Sequence, residues 1–383
     1  MFYNITTFGC QMNVHESEKL AGVLAARGFS STENQEDADI IIFNTCAIRE
    51  GAEDRAIGNV GALKKLKKEN PNKIIAICGC MTQQKDVSDR IYKTFPFVDI
   101  IFGTKNLDKF EEFLDNISFV REQTQNGKKP KHHRILEISD EDLVQENMPI
   151  YRTSGNNNWV NIIYGCNNFC SYCIVPYVRG RERSREKEYI LSEIENIVKN
   201  SKEKQKITLL GQNVNSYGKD LYENYSFNDL LKDICKIEGD FELTFMTSHP
   251  KDISKQVIET LASENKILKE LHLPIQSGSN KILKMMNRRY TVENYLEKID
   301  YLKKLIPNIR LTTDIIVGFP GETEEDFKAT CDLIEKVKYA GIFAFMYSPR
   351  PNTPAAKMEN QVPTEIKHQR VNYILNLQKQ YND

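Results

Sequence analysis

Cys166, Cys170 and Cys173 stand in the run Gly165-Cys166-Asn167-Asn168-Phe169-Cys170-Ser171-Tyr172-Cys173, with three and then two residues between them. Three thiolates so spaced can cap three corners of a 4Fe–4S cube and leave the fourth iron without a protein ligand. Such an iron can bind and activate a small molecule, whereas a cluster with four thiolates mainly stores electrons. A structural zinc knuckle is the competing reading. Zinc ordinarily wants a fourth protein ligand and CxxC pairs, and no Cys or His follows at suitable spacing.

The elements that must carry these thiols are legible as periodic runs. Phe2–Cys10, Ala38–Cys46, Lys73–Cys80 and Val98–Gly103 read as strands, with helices at Glu16–Arg27 and Ala52–Lys68 between them. Continuous apolar strands such as Ile40-Ile41-Ile42-Phe43 suit a parallel sheet covered on both faces, so residues 1–120 are expected to form a doubly wound α/β domain. A polar linker over 121–158 follows, with room for a short strand at Arg134–Ile138. From residue 159 to about 360 a strand–helix unit repeats six times, with strands at Val160–Tyr164, Ile207–Leu210, Leu243–Thr247, Glu270–Pro274, Leu311–Val317 and Phe343–Tyr347. Six parallel units make an open (β/α)6 barrel, whose chemistry belongs at the C-terminal ends of its strands. The cysteine loop follows the first of them. Residues 361–383 read as a closing amphipathic helix.

A second set of cysteines emerges from this layout. Cys10, Cys46 and Cys80 are far apart in sequence, yet each ends an expected strand of the first domain, and parallel strands bring such ends to one rim. They could hold a second cluster or be ordinary core thiols; geometry alone favours neither. Cys78 shares a pleat face with Cys80 and could substitute for it. Cys235 and Cys331 fall on helix stripes and read as core.

Several words of the sequence resemble a known family. Thr7-Phe8-Gly9-Cys10-Gln11-Met12-Asn13, Asn44-Thr45-Cys46-Ala47-Ile48-Arg49-Glu50 and Gly79-Cys80-Met81-Thr82-Gln83-Gln84 resemble the methylthiotransferases, a family of radical S-adenosylmethionine enzymes. Within it they resemble the MiaB-type branch, the tRNA 2-methylthio-N6-dimethylallyladenosine synthases. The likeness continues through the cysteine loop, Arg179-Gly180-Arg181-Glu182-Arg183-Ser184-Arg185, Leu273-Pro274-Ile275-Gln276-Ser277 and Gly318-Phe319-Pro320-Gly321-Glu322, from residue 3 to about 356. Members usually continue into a small β-barrel, the TRAM domain, which is expected to be absent here.

The resemblance implies two 4Fe–4S clusters, one on Cys166/Cys170/Cys173 that binds and cleaves S-adenosylmethionine and one on Cys10/Cys46/Cys80 that carries the inserted sulfur. It implies methylthio transfer to carbon 2 of an N6-prenylated adenosine beside the anticodon of tRNA. An electron donor of flavodoxin or ferredoxin type and a sulfur donor are the further partners expected. Aromatic Tyr172 fits the superfamily's loop. Gln212, Asn213, Ser248, Gln276, Ser277, Arg310 and Asp314, polar residues at or within barrel strand ends, are expected to contact S-adenosylmethionine. Arg179, Arg181, Arg183 and Arg185 are expected at tRNA phosphates; a basic run from Lys128 to Arg134 is a weaker RNA candidate.

Bulk composition adds little pull of its own. Across 383 residues, 52 Lys and Arg balance 53 Asp and Glu, so any nucleic-acid contact must be local. An odd count of nine cysteines, no secretory leader and no membrane-length apolar run lead to the expectation of reduced thiols and a cytoplasmic enzyme. Competing readings are a methylthiotransferase acting on threonylcarbamoyl-adenosine or on a ribosomal protein, and an iron–sulfur carrier or RNA-binding module without turnover.

Overall fold

The computed structural model describes residues 1–47, 50–125, 134–141, 144 and 146–381. They fall into two compact units, Met1–Gly155 with Tyr177–Gly180, and Asn156–Pro176 with Arg181–Asp383. In the first unit run β1 (Phe2–Thr7), α1 (Gln11–Ala26), β2 (Ser30–Ser31), β3 (Ile40–Thr45), α2 (Glu50–Glu69), β4 (Ile74–Gly79), α3 (Lys85–Thr94), β5 (Ile100–Phe102), α4 (Phe110–Gln125) and β6 (Ile135–Glu137).

These six strands form one parallel sheet in the order β2-β1-β3-β4-β5-β6. Both faces are covered, which is why its strands are apolar throughout. Ile40 and Ile42 of β3 pack with Leu20, Leu24 and Phe110, while Ile41 and Phe43 pack on the other face with Val60 and Ile91. The register pairs Thr7 with Asn44 and Thr45 with Gly79, so the residues after β1, β3 and β4 share one rim.

Two local differences from the sequence reading bear on that rim. Helix α1 starts at Gln11 rather than near Glu16, because extended Cys10 (φ −98°, ψ 174°) is its N-cap and the Asn13 and Val14 amides already donate to the Cys10 carbonyl. The short strand in the polar stretch, β6, adds to the sheet edge beside β5. Of the basic run there, residues 126–133 lie outside the described residues; Arg134 donates to the Val98 and Phe95 carbonyls.

The second unit contains β7 (Asn157–Asn161), β8 (Ile163–Tyr164), the start of α5 (Val175–Arg179), β9 (Arg183–Ser184), α6 (Lys187–Lys199), β10 (Gln205–Leu210), α7 (Phe227–Lys236), β11 (Phe241–Phe245), α8 (Lys255–Ser263), β12 (Glu270–His272), α9 (Asn280–Met285), α10 (Val292–Leu305), β13 (Arg310–Val317), α11 (Glu324–Val337), β14 (Gly341–Met346) and α12 (Thr364–Lys379). Strands β7, β10 and β11 pair in parallel, as do β12, β13 and β14. Leu243 joins the two triplets, donating to Lys266 O at 2.8 Å and accepting from Leu268 N at 2.9 Å. Six parallel strands thus follow one another as an open barrel, with Ile190, Leu231, Val257 and Ile299 of its helices packed on Val160, Ile207, Leu243 and Leu271.

The expected first barrel strand is split. Ile162 still bonds to the Leu210 carbonyl, but Ile163–Tyr164 turn away to pair antiparallel with Arg183–Ser184. That ribbon closes the base of the cysteine loop. Helices α10 and α11 begin where capping boxes dictate, at Thr291/Asn294 and Thr323/Asp326. Among the described residues, no helix is long and apolar enough to cross a membrane.

Two candidate metal centres

In the first unit, glycines let the three cysteine loops converge. Gly9 (φ +110°) lies so close to Cys46 that a Cβ there would stand 2.6 Å from Cys46 Cβ and 2.8 Å from its Sγ. Gly79 (φ +103°) plays the same part after β4, where a Cβ would meet Asn44 Oδ1 at 2.6 Å. The Gly79 turn also breaks the pleat that was expected to put Cys78 and Cys80 on one face. Cys78 packs in the core with Tyr3, Leu20 and Ile40, and Cys80 follows the turn at the rim.

Cys80 is close enough to Cys46 and Cys10 for their charges to oppose its ionisation, and burial pushes its thiol up to about 12. Among the described residues no three His, Cys, Asp or Glu side chains close around a point as they would around a single metal ion. The donor set is all sulfur, three thiols each on its own loop, a chemistry that suits three corners of an iron–sulfur cube.

Asn13 occupies the middle of this arrangement. Its Nδ2 donates to Phe8 O at 2.8 Å and to Thr45 O at 2.9 Å. Its Oδ1 lies 4.0 Å from Cys10 Sγ and 3.9 Å from Cys80 Sγ. Arg179 Nη2 donates to that same oxygen at 2.9 Å, while Arg179 Nη1 meets Glu16 Oε1 at 2.6 Å. Only 4% of Arg179 is exposed. A guanidinium so buried and paired is no phosphate contact, which corrects the sequence expectation for this residue.

In the second unit the loop after β8 carries the other trio. Gly165 (φ +73°) and Phe169 (φ +47°) are both left-handed, and Asn287 Nδ2 steadies the second by donating to the Phe169 carbonyl at 2.9 Å. Asn168 Nδ2 reaches Cys166 Sγ at 3.6 Å, with its own Oδ1 held by Lys251 Nζ at 2.6 Å. Buried Arg288 donates to Cys170 Sγ at 3.5 Å, to Pro274 O at 2.8 Å and to the Tyr290 hydroxyl at 2.8 Å. Burial pushes the Cys166 thiol up to about 11 and raises Cys173 further. Tyr172 packs against Ile282, Met286, Phe319 and Tyr347, so the aromatic anchors the loop to the barrel end.

Four successive barrel strands end in buried polar side chains. Asn161 Oδ1 and Nδ2 at the end of β7, Asn213 Oδ1 after β10, Ser248 Oγ after β11 and Gln276 Oε1 after β12 have no hydrogen-bond partner among the described residues. Leaving such an atom unpaired costs roughly 1–3 kcal/mol, which a polar ligand would relieve. Thr247 (φ +66°) and Gln276 (φ +75°) are held in strained backbone at the same rim. The set suits a ligand rich in amino, carboxylate and hydroxyl groups, as S-adenosylmethionine is.

The remaining expected contacts divide. Gln212 lies half-buried beside Asn213. Asp314 lies within β13, 3.5 Å from His272 Nε2. Ser277 is fully buried, accepts from Ser279 N at 3.2 Å and turns toward Thr330, away from the rim. Arg310 opens β13 at its N-terminal end, opposite the cysteine loop. These last two are therefore corrected as cofactor contacts. Arg185 is also buried, bonded to Asn161 O at 2.7 Å and to Glu193 at 2.8 Å, which takes it from the phosphate set. Arg181 is exposed with its guanidinium 4.3 Å over the Phe169 ring, and Arg183 is half-buried.

Sequence reasoning missed Asn13, Asn161 and Arg288. Asn161 had a signal, a polar residue closing the apolar run that continues into Ile162 and Ile163. The other two act across distances in sequence that no local pattern reveals.

Residues 160–334 match the radical SAM superfamily, and residues 3–103 match a family described as Uncharacterized protein family UPF0004. The chain is 52% identical over 376 residues to the tRNA-2-methylthio-N(6)-dimethylallyladenosine synthase of Caldicellulosiruptor saccharolyticus, covering 98% of this chain and 77% of that protein. It is 54% identical over 372 residues to the protein of the same name from Clostridium botulinum (strain Langeland), covering 97% and 80%. Among solved structures, the cobalamin-dependent S-adenosylmethionine radical enzyme OxsB, with aqua-cobalamin and S-adenosylmethionine bound, matches with a TM-score of 0.60 at 13% identity, over 99% of this chain and 56% of that one. At that identity the likeness shows the shared fold alone. The close relatives show more: this chain belongs to the methylthiotransferase family of radical S-adenosylmethionine enzymes, in the group of tRNA-2-methylthio-N(6)-dimethylallyladenosine synthases.

Proposed function

We propose that this chain adds a methylthio group to carbon 2 of an N6-prenylated adenosine next to the anticodon of tRNA, using S-adenosylmethionine and two 4Fe–4S clusters. The observation that carries the reading is the presence, in a member of this family, of two all-thiol trios, one on loops that follow the parallel strands β1, β3 and β4 and one on the loop that follows β8. Bound together, the clusters and S-adenosylmethionine supply the electron, the hydrogen-abstracting radical, the sulfur and the methyl group.

The chain's own residues hold and orient these groups. Cys166, Cys170 and Cys173 are the ligands proposed for one cluster, Cys10, Cys46 and Cys80 for the other. Arg288, bonded to Cys170 Sγ and buried with it, offsets thiolate charge there. Asn161, Asn213, Ser248 and Gln276 are proposed to take the amino, carboxylate and ribose groups of S-adenosylmethionine, with Gln212 and Asp314 beside them. Arg181 and Arg183 are proposed at phosphates of the anticodon stem-loop, from which the target base is unstacked to react. A cytoplasmic setting, a flavodoxin- or ferredoxin-type electron donor and a separate sulfur donor complete the proposal.

The test is anaerobic turnover. The chain reconstituted with iron and sulfide is given reductant, S-adenosylmethionine and tRNA bearing prenylated adenosine, and digested nucleosides are read by mass spectrometry. A methylthio-prenyladenosine peak is expected. Cys166→Ala should abolish 5′-deoxyadenosine formation, whereas Cys46→Ala should spare part of it while stopping sulfur insertion. Equal loss of both products in the two variants would overturn the division of ligands, and no modified nucleoside from protein holding both clusters would overturn the reaction.

A further inference from the structure

We infer that Asn13 is the positioning residue of the Cys10/Cys46/Cys80 centre, setting the three thiols in register through one carboxamide whose orientation Arg179 holds. The inference rests on the proposal that these cysteines ligate a cluster, and extends it to a residue that binds no iron.

Each thiol is presented by a different loop, after β1, β3 and β4. The ladder pairs end at Thr7 with Asn44 and Thr45 with Gly79, and two further backbone bonds follow, Phe8 N to Asn44 O at 2.8 Å and Cys80 N to Thr45 O at 3.0 Å. These bonds tie the Cys80 backbone to the loop of Cys46, but they do not orient the thiol side chains or tie in Cys10. Asn13 touches every one of these loops. Its Nδ2 donates to Phe8 O, two residues before Cys10, and to Thr45 O, the residue before Cys46. Its Oδ1 faces Cys80 Sγ at 3.9 Å and Cys10 Sγ at 4.0 Å. Its own backbone is pinned as well, because Asn44 Nδ2 donates to Asn13 O at 2.8 Å and to Ser17 Oγ at 3.0 Å. The residue is fully buried.

A carboxamide can point two ways, and only one puts both donor hydrogens on the carbonyls and the oxygen toward the thiols. Arg179 settles the choice. Its Nη2 donates to Asn13 Oδ1 at 2.9 Å, which the flipped amide's nitrogen could not accept. Glu16 fixes the guanidinium in turn, at 2.6 Å and 3.2 Å. Arg179 lies only six residues after Cys173 in sequence, so the segment bearing the other trio also supplies this lock.

Aspartate at position 13 preserves the size of the side chain and can still meet Arg179, but it cannot donate to Phe8 O or Thr45 O. Asn13→Asp therefore separates registration from volume, and Asn13→Ala removes both. The experiment uses the full chain carrying Cys166→Ala, Cys170→Ala and Cys173→Ala, so that only one centre can load. After anaerobic reconstitution this reference should bind roughly four iron atoms. Iron and sulfide content, the electron paramagnetic resonance of the reduced cluster and its midpoint potential are then compared. Asn13→Asp and Asn13→Ala are both expected to bind less than half the reference iron while folded protein, followed by circular dichroism, is unchanged. What cluster they do bind should show altered resonance and potential. The double variant Glu16→Gln/Arg179→Gln keeps the two donors and should load more iron than either. Iron content and signature equal to the reference in Asn13→Asp would overturn the inference alone. So would iron loss that merely tracks loss of folded protein, with an unchanged signature in the remainder. A reference that binds no cluster would overturn the ligand assignment and the inference with it.

Discussion

A buried ion pair is among the ties that hold helix α12 to the end of the barrel, and breaking it should cost more than a surface change. Arg370 Nη1 lies 2.6 Å from Glu322 Oε2, with side chains 8% and 1% exposed. Glu322 also accepts from Gly318 N at 2.6 Å, so it holds the turn that follows β13. Burial raises the Glu322 carboxyl above its ordinary range, a sign that the site tolerates the charge only because of its partners. Arg370→Met keeps the apolar packing but strands that carboxylate, at a cost of roughly 3–5 kcal/mol. In a unit of this size that corresponds to a fall in Tm of about 6–20 °C. Adding Glu322→Gln removes the stranded charge while a side-chain oxygen still accepts from Gly318 N, so the double variant should regain most of the loss. The only tryptophan, Trp159, lies on β7, and its fluorescence follows unfolding of this unit in urea or on heating. A single variant within about 1 kcal/mol of the parent, or a double variant no better than the single, would refute the reasoning.

Three other outcomes are expected. Burial opposes ionisation of Asp326, but hydrogen bonds from Lys281, Ser279 and Thr323 outweigh it and hold the carboxyl down to about 2. Its stabilisation is therefore complete above the ordinary value near 4 and is lost as the pH falls toward 2; Asp326→Asn should cost about 2 kcal/mol at pH 7 by Trp159 fluorescence, with the gap closing over that acid range. Gly79→Ala puts a side chain into left-handed backbone against Asn44 and Thr45, costing roughly 1–3 kcal/mol, and should halve the iron bound per chain while leaving 5′-deoxyadenosine formation measurable. Arg288→Gln removes a buried cation from Cys170, so the Cys166/Cys170/Cys173 cluster should show a more negative midpoint potential in an anaerobic titration; an unchanged potential would contradict the electrostatic role given to it.

Much of the architecture was legible because parallel strands covered on both faces must be apolar runs, and Ile40–Phe43 or Ile74–Ile77 admit little else. The starts of helices α10 and α11 are set locally as well, since Thr291 and Thr323 cap them through bonds to residues three positions on. The Cys166 trio is likewise a matter of local spacing. What stayed hidden depends on long-range burial. Arg179, Arg181, Arg183 and Arg185 look alike in sequence, yet the fold buries the first and last against glutamates and exposes Arg181. Cys78 and Cys80 look alike too, but Gly79 between them takes a positive φ, with no room for a side chain against Asn44 and Thr45.

The two thiol trios also differ in a way that bears on which one receives electrons. A 4Fe–4S core in its usual oxidised state carries two positive charges, so three thiolates leave a net charge of about minus one to be stabilised in a buried place. At the second trio, Arg288 has as its hydrogen-bond partners the Pro274 carbonyl, the Tyr290 hydroxyl and Cys170, none of them a carboxylate, whereas Lys251, which reaches Asn168, is itself paired with Asp252 at 3.6 Å. At the first trio, Arg179 already faces Glu16, so the pair brings almost no net charge to Cys80 and its neighbours. Adding an electron makes either cluster more negative, and nearby uncompensated cations favour that step. Arg288 therefore favours electron uptake at the proposed Cys166/Cys170/Cys173 centre, the step with which a reaction initiated there begins. Glu16→Gln tests the argument from the other side: freeing Arg179 from its carboxylate should raise the potential of the Cys10/Cys46/Cys80 cluster.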